Sequence, residues 1–395
     1  MKAKEHILFI VSRFPYPLEK GDKLRAFYQL KELSKDYHVT LICTSDLPVS
    51  AEHLEIVNQY CSRIHIFNLS KPGLLFQLCT SFLSSKPFQV QYFYRKSIHR
   101  KIQKIIAELQ PKHIYCQLIR VSEYVKNEHL IPKTLDYMDA LSKGMERRIQ
   151  TEPWYKNWFY RVESKRLKQY ERRIFDYFEH KTIISEQDRK LIYHPENAQI
   201  VVVPNGIDQA FFEDLALPKD YDLVFTGNFS YAPNIEAAVC LAEEILPRIH
   251  QKGIPCRLLL SGASPVKKVL DLQSKDVHIS GWVDDIRTSY QRSRLFAAPL
   301  FIGTGLQNKL LEAMASGLPC ITTSLANNAL GGINYENILL AEDIDTFVEK
   351  ITEGLVNEGN FSSIALHGKN YIEQHYSWEK QTLKLLQLLY SPPSC

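Results

Sequence analysis

Long apolar runs are missing from this 395-residue chain. A membrane-spanning helix needs roughly 18–20 consecutive apolar residues. The longest approach to that, residues 74–83, is interrupted by Gln77, Thr80 and Ser81. A secretory leader is not visible either. The apolar run 7–11 ends at Ser12, Arg13 and Pro15, which is too short for a signal core and suits a buried strand. Cysteine pairs at metal-binding or redox spacing are also absent. The eight cysteines (Cys43, Cys61, Cys79, Cys116, Cys240, Cys256, Cys320 and Cys395) are scattered, and none forms C-x-x-C. They read as small buried hydrophobes in a reducing compartment, with no metal site. Internal repeats and low-complexity tracts are lacking as well. The expectation is a cytoplasmic protein without a resident cofactor.

What is present is an ordinary globular composition, 45% hydrophobic and 23% charged, at a length that suits two domains. Short β-branched runs alternate with stretches long enough for helices. In the first half they lie at residues 7–11, 39–43, 63–67, 113–116, 134–136, 181–185 and 200–203. In the second they lie at 223–226, 257–261, 277–280, 295–299, 320–322 and 338–341. Strand–helix alternation of this kind implies parallel sheets covered on both faces, and two such sets imply two doubly wound domains. The boundary falls near Val203-Pro204-Asn205-Gly206-Ile207-Asp208, where Pro ends a strand and Asn-Gly makes a turn. Residues 154–178 read as one long helix. The tail places Trp378, Leu385, Leu386 and Leu389 on one helical face, with Lys380 and Lys384 opposite.

Charge is distributed unevenly. Residues 1–205 carry 33 Lys/Arg and 22 Asp/Glu, a net of +11, and residues 206–395 carry 15 and 22, a net of −7. A basic half suggests an anionic partner such as a membrane surface, unless the two halves merely differ in isoelectric point. No nucleic-acid motif accompanies the charge, so nucleic acid is not expected.

The segment that points to chemistry runs from Gly303-Thr304-Gly305-Leu306-Gln307-Asn308-Lys309 through Glu312 to Pro319. A strand precedes it, glycines punctuate the loop, and a helix is expected from about Leu306. Glycines let backbone amides approach a ligand, and a helix start offers free N–H groups with a positive dipole end. Together they make a phosphate cradle at the carboxyl end of a parallel strand. Glu312, about two turns in, can accept hydrogen bonds from the two adjacent hydroxyls of a ribose. The alternative is a glycine turn followed by a surface glutamate.

The run Leu311-Glu312-Ala313-Met314-Ala315-Ser316-Gly317-Leu318-Pro319 resembles the hallmark of the family 4 retaining glycosyltransferases, also called group 1. Pro204-Asn205-Gly206-Ile207-Asp208 with Phe212 is similar to that family's interdomain segment, and Gly281-Trp282-Val283 to its base-binding turn. Two departures stand out. Thr304 occupies the place of the first glutamate of the family's pair, and the segment Gly227-Asn228-Phe229-Ser230-Tyr231-Ala232-Pro233-Asn234 lacks the usual Arg and Lys. Lys309 is a candidate to replace that charge. The same substitutions, with Arg13-Phe14-Pro15-Tyr16-Pro17 and Lys20-Gly21-Asp22-Lys23, resemble a branch tied to exopolysaccharide and exosortase-type surface systems.

The resemblance implies an α/β protein of the GT-B type, two Rossmann-like domains facing across a cleft. Residues 1–205 would form an acceptor-side domain onto which the tail helix 377–390 packs back, and residues 206–376 a nucleotide-sugar donor domain. The implied reaction moves a sugar from a nucleotide-diphosphate donor to a glycan or lipid-linked acceptor, with retention and without a metal. Asp139, Thr304 and Lys309 are the catalytic candidates. Donor binding is assigned to Gly21, Asp22 and Arg25 in the first domain. In the second it is assigned to Gly227, Asn228, Asn234, Gly281, Trp282, Val283, Gly303, Thr304, Gly305, Leu306, Gln307, Asn308, Lys309 and Glu312. Asp139 is placed to orient or deprotonate an acceptor hydroxyl, or to cap the segment after it. Two other activities fit the same fold: a sugar-nucleotide epimerase, and a subunit that binds nucleotide-sugar without turning it over. Expected partners are the donor, the acceptor and an anionic membrane surface.

Overall fold

A computed structural model describes residues 4–69, 84–151, 153–302 and 305–390. The apolar run 74–83, Cys79, Cys395, Gly303 and Thr304 lie outside the described residues. The chain divides into two compact units, Met1–Pro204 with Gln381–Cys395, and Asn205–Lys380.

The first unit is built on seven parallel strands: β1 (His6–Val11), β2 (His38–Ser45), β3 (Arg63–Asn68), β4 (His113–Gln117), β5 (Lys133–Asp136), β6 (His180–Ile183) and β7 (Val201–Val202). Their order is β3-β2-β1-β4-β5-β6-β7. Ile7 to Val11 are buried without a break, as a strand covered on both faces requires. Strand order reverses between β1 and β4, and in open α/β sheets such a switch point opens a crevice at the carboxyl ends of the strands. Residues 154–178, expected as one helix, form a helix over Asn157–Ile174 with 3-10 turns at Trp154–Lys156 and Phe175–Tyr177.

Six parallel strands make the second sheet: β8 (Tyr221–Thr226), β9 (Leu258–Ser261), β10 (Val277–Gly281), β11 (Ser293–Ala298), β12 (Cys320–Thr322) and β13 (Leu339–Leu340). The order β10-β9-β8-β11-β12-β13 puts the switch point between β8 and β11. The last helix, Trp378–Tyr390, carries Leu385 and Leu389 into the first unit's core beside Leu30, Leu33, Val39 and Leu41. The Tyr390 ring lies 5.8 Å from that of Tyr37.

Candidate functional site

In the second unit, three loops leave the carboxyl ends of β8, β10 and β11 and bring the motif residues into one region. The first starts at Gly227. Asn234 Nδ2 donates to the Asn228 carbonyl at 2.9 Å, closing the loop onto itself. Asn228 Oδ1 accepts from the Ser230 amide at 2.9 Å. A Cβ on Gly227 would lie 2.7 Å from Asn234 Nδ2 and 3.2 Å from Lys309 Nζ, so a larger residue would push these two side chains aside. The second contact of this kind joins β9 to β8: a Cβ on Gly262 would stand 2.0 Å from the Gly227 carbonyl oxygen. Gly262 in turn donates its amide to the Gly281 carbonyl at 3.0 Å. The loops after β8, β9 and β10 are therefore packed backbone to backbone.

Beyond Gly281 (φ +66°), Trp282 stands 57% exposed and Val283 is half-buried. A ring so open to water offers a flat apolar face to a planar group.

The loop after β11 leads through Gly305 and half-buried Leu306 to the helix Asn308–Ala315. This helix starts two residues later than expected, so Glu312 lies little more than one turn from its start. Gln307 caps it without a side-chain hydrogen bond, and its amide group turns instead to the Gly305 carbonyl at 3.3 Å. Asn308 Oδ1 accepts from Asn205 Nδ2 at 3.1 Å, which ties the helix start to the segment that follows the first unit.

Lys309 and Glu312 are two charged groups of this region, both half-buried. The Lys309 ammonium donates to Asn234 Oδ1 and lies 4.6 Å from the centre of the Phe225 ring. Desolvation pulls its pKa down to about 7 against the attraction of Glu312. Desolvation likewise pushes the Glu312 carboxyl up to about 7, opposed by the Tyr290 hydroxyl and by Lys309. Tyr290 is fully buried and donates to Glu312 Oε2 at 2.6 Å, while Thr226 Oγ1 lies 2.7 Å from the same hydroxyl. The chain Thr226–Tyr290–Glu312 fixes one carboxylate oxygen of Glu312. Sequence reading missed Tyr290 and Thr226, because no spacing links residue 290 to residue 312. Asn205 was noticed as part of a motif, without its partner.

The first unit gathers a different set at its own switch point. Gly21 is exposed at the start of the helix Gly21–Asp36, and Asp22 is nearly buried there. Arg13 Nη1 donates to Asp22 Oδ2 at 2.7 Å, with Arg120 Nη1 at 3.6 Å. Asp139, just past β5, is exposed. Desolvation foremost, then repulsion from Asp188, pushes its carboxyl up to about 6, and its openness to water tempers that push.

Arg25 differs from the expectation of a ligand contact. It is fully buried, donating from Nε to Asp136 Oδ2 at 2.6 Å, from Nη2 to Asp136 Oδ1 at 3.1 Å and from Nη1 to the Val203 carbonyl at 2.8 Å. Its fork locks β5 and the end of β7 to the first helix, and a phosphate would have to break that lock. We therefore assign it to the scaffold.

Comparison with known proteins bears on the fold and on one segment of the chain. Residues 220–357 match the family model described as glycosyl transferases group 1. An "Uncharacterized 44.6 kDa protein in cps region" of Klebsiella pneumoniae is 20% identical over 394 residues, covering 95% of this chain and 97% of its own length. Among solved structures, sucrose-phosphate synthase of Thermosynechococcus elongatus is similar with a TM-score of 0.68 at 16% identity, covering 98% of both chains. The Anabaena protein Alr3699/HepE, solved in complex with UDP and glucose, gives a TM-score of 0.66 at 12% identity, covering 98% of this chain and all of the other (100%). The structural likenesses show the GT-B fold, two Rossmann-like domains in one chain. The chain thus has the GT-B fold, and within it residues 220–357 are similar to the glycosyl transferases of group 1.

Proposed function

We propose that the chain transfers a sugar from a nucleotide-diphosphate sugar to a glycan or lipid-linked acceptor, with retention of anomeric configuration, in surface polysaccharide synthesis. The observation that carries the reading is the placement of Lys309 and Glu312 on one short helix at the switch point, the first beside Gly227 and the second braced by Tyr290. Lys309 occupies the position where the loop after β8 lacks a basic residue. Its ammonium and the amides at the start of the helix Asn308–Ala315 would meet the diphosphate, whose charge grows as the glycosidic bond breaks. Glu312 would hold the ribose hydroxyls, and Trp282 with Val283 the base. Gly227, Asn228, Asn234, Gly305, Leu306 and Gln307 shape the cradle. Gly303 and Thr304 remain assigned to the donor sugar. Since charge is met by Lys309 and the helix start, the reaction should proceed without a metal ion.

In the first unit, Asp139 is the residue assigned to the acceptor hydroxyl, with Gly21 and Asp22 kept for the donor phosphates. The binding of UDP in the Anabaena structures supports a nucleotide-sugar donor. The cps-region relative supports a polysaccharide setting. An anionic membrane surface is part of the same reading, supported by exposed Lys96, Arg100, Lys101 and Lys104 on the helix Lys96–Leu109. Among the described residues no helix is long and apolar enough to cross a membrane.

Calorimetric titration with UDP, GDP and ADP tests the donor site. One of the three should bind, and Glu312→Ala should weaken it; binding of none would overturn the assignment. Incubating the sugar nucleotide alone separates rival activities, because an epimer formed without acceptor would mark an epimerase.

A further inference from the structure

The first unit's surface carries an aromatic tip joined to a purely cationic stripe. Trp154 is 83% exposed, Tyr155 67% and Trp158 60%, all at the start of the helix Asn157–Ile174. Such exposure of large rings is costly unless something covers them. Along the helix, Trp158, Arg161, Lys165, Lys168 and Arg172 follow one another at alternating spacings of three and four, which places them in one line. All five are exposed.

The helix's two acidic residues point the other way. Glu163 is buried and accepts from the Phe88 and Gln89 amides at 2.7 and 3.0 Å. Glu171 is buried and accepts from the Ser142 amide and hydroxyl at 2.9 and 2.6 Å. Neither can neutralise the stripe. Lys168 and Arg172 are held over the Tyr193 ring, 4.7 and 5.5 Å from its centre, so their charges stay at the surface. Tryptophan and tyrosine favour the interface between headgroups and acyl chains, and lysine and arginine favour anionic headgroups. With Trp158 heading the cationic line and Trp154 and Tyr155 just before it, the surface matches an anionic bilayer better than one offering charge alone.

We propose that the helix Asn157–Ile174 is the membrane-docking element of this protein, with Trp154, Tyr155 and Trp158 entering the interface and Arg161, Lys165, Lys168 and Arg172 holding anionic headgroups. The proposal deepens the membrane part of the functional reading and rests on it. Docking then has two parts: attraction that salt screens, and ring burial that salt does not.

The test is co-flotation with vesicles of phosphatidylglycerol and phosphatidylcholine, against phosphatidylcholine alone, at low and high salt. Wild type should bind the anionic vesicles and retain a fraction at high salt, with tryptophan emission quenched by brominated lipid. The pair Trp154→Ser and Trp158→Ser should lower affinity by about tenfold or more. It should also abolish both the salt-resistant fraction and the quenching. Exposed positions tolerate serine, and an unchanged melting temperature confirms folding. Changing Arg161, Lys165, Lys168 and Arg172 to Gln should remove more low-salt binding than changing Lys96, Arg100, Lys101 and Lys104. If the serine pair floats and quenches like wild type, the docking element is elsewhere while the membrane reading stands. If wild type binds neither vesicle, the membrane reading fails and takes the proposal with it. Nucleotide titration is independent of both outcomes.

Discussion

At the scale of single residues, Glu312 and Lys309 make the sharpest predictions. Glu312→Ala should weaken nucleotide-diphosphate binding about ten- to a hundredfold, since bonds to a charged group are worth about 1.5–3 kcal/mol each. The helix should not suffer, because Ala is the best helix former. Calorimetric titration with melting curves separates the two effects. Tyr290→Phe should lose about tenfold in the same titration, because the carboxylate would no longer be held from beneath. Lys309 adds a pH dependence whose sign follows from its environment. Desolvation holds its pKa down, at about 7, so the free site loses its positive charge as pH rises through 7. An arriving diphosphate favours the ammonium and draws a proton in. Affinity should therefore fall above pH 7, with proton uptake visible as a buffer-dependent heat, and Lys309→Met should flatten the profile. Removing metal with a chelator should leave turnover unchanged.

At the scale of elements, contacts distant in sequence set the geometry. The loops after β8, β9 and β10 pack so closely at Gly262 that a methyl group there would strike the Gly227 carbonyl oxygen at 2.0 Å. Gly262→Ala should therefore displace the loop after β8 and reduce nucleotide binding more than it lowers stability, read by titration beside urea unfolding. The Arg25–Asp136 pair makes the opposite kind of prediction. Both side chains are fully buried, and removing one partner of a buried pair strands the other charge. Asp136→Ala should cost about 3–5 kcal/mol in urea unfolding. The last helix seats Leu385 and Leu389 in the first unit's core. Leu385→Ala should cost about 2–5 kcal/mol, with the loss appearing in the unfolding of that unit.

At the scale of the whole molecule, charge is sorted by unit. The unit of residues 1–204 and 381–395, whose surface holds the Trp158–Arg172 stripe, carries 34 Lys/Arg and 22 Asp/Glu, a net of +12, and residues 205–380 carry 14 and 22, a net of −8. Salt dependence of vesicle binding should accordingly follow the first unit's lysines and arginines. Nucleotide affinity should respond mainly to the second unit's Lys309 and Glu312. A substitution in either set should leave the other readout unchanged.

Sequence alone determined the architecture and carried the resemblance to group 1 glycosyltransferases. Buried parallel strands must be apolar over several residues, so their number and alternation with helices are legible along the chain. The glycine loop and the run from Leu311 to Pro319 are contiguous, so their chemistry is legible too. The sequence also marked Lys309 as a replacement for a missing charge, and the structure sets its ammonium beside Gly227. What only the tertiary structure decided depends on residues far apart in the chain. Position 25 sits one turn into a helix at a sheet mouth, a place where a ligand-binding arginine would also sit. Only the packing of β5 and β7 around it turned the guanidinium inward, to Asp136 and Val203. Nothing in the local sequence sets Tyr290 apart, and only the fold brings its hydroxyl against Glu312. The cationic stripe was hidden inside a helix that reads as mixed in charge. Burial of Glu163 and Glu171 removed the negative half from its surface, and burial is a property of the folded neighbourhood, which local sequence does not encode.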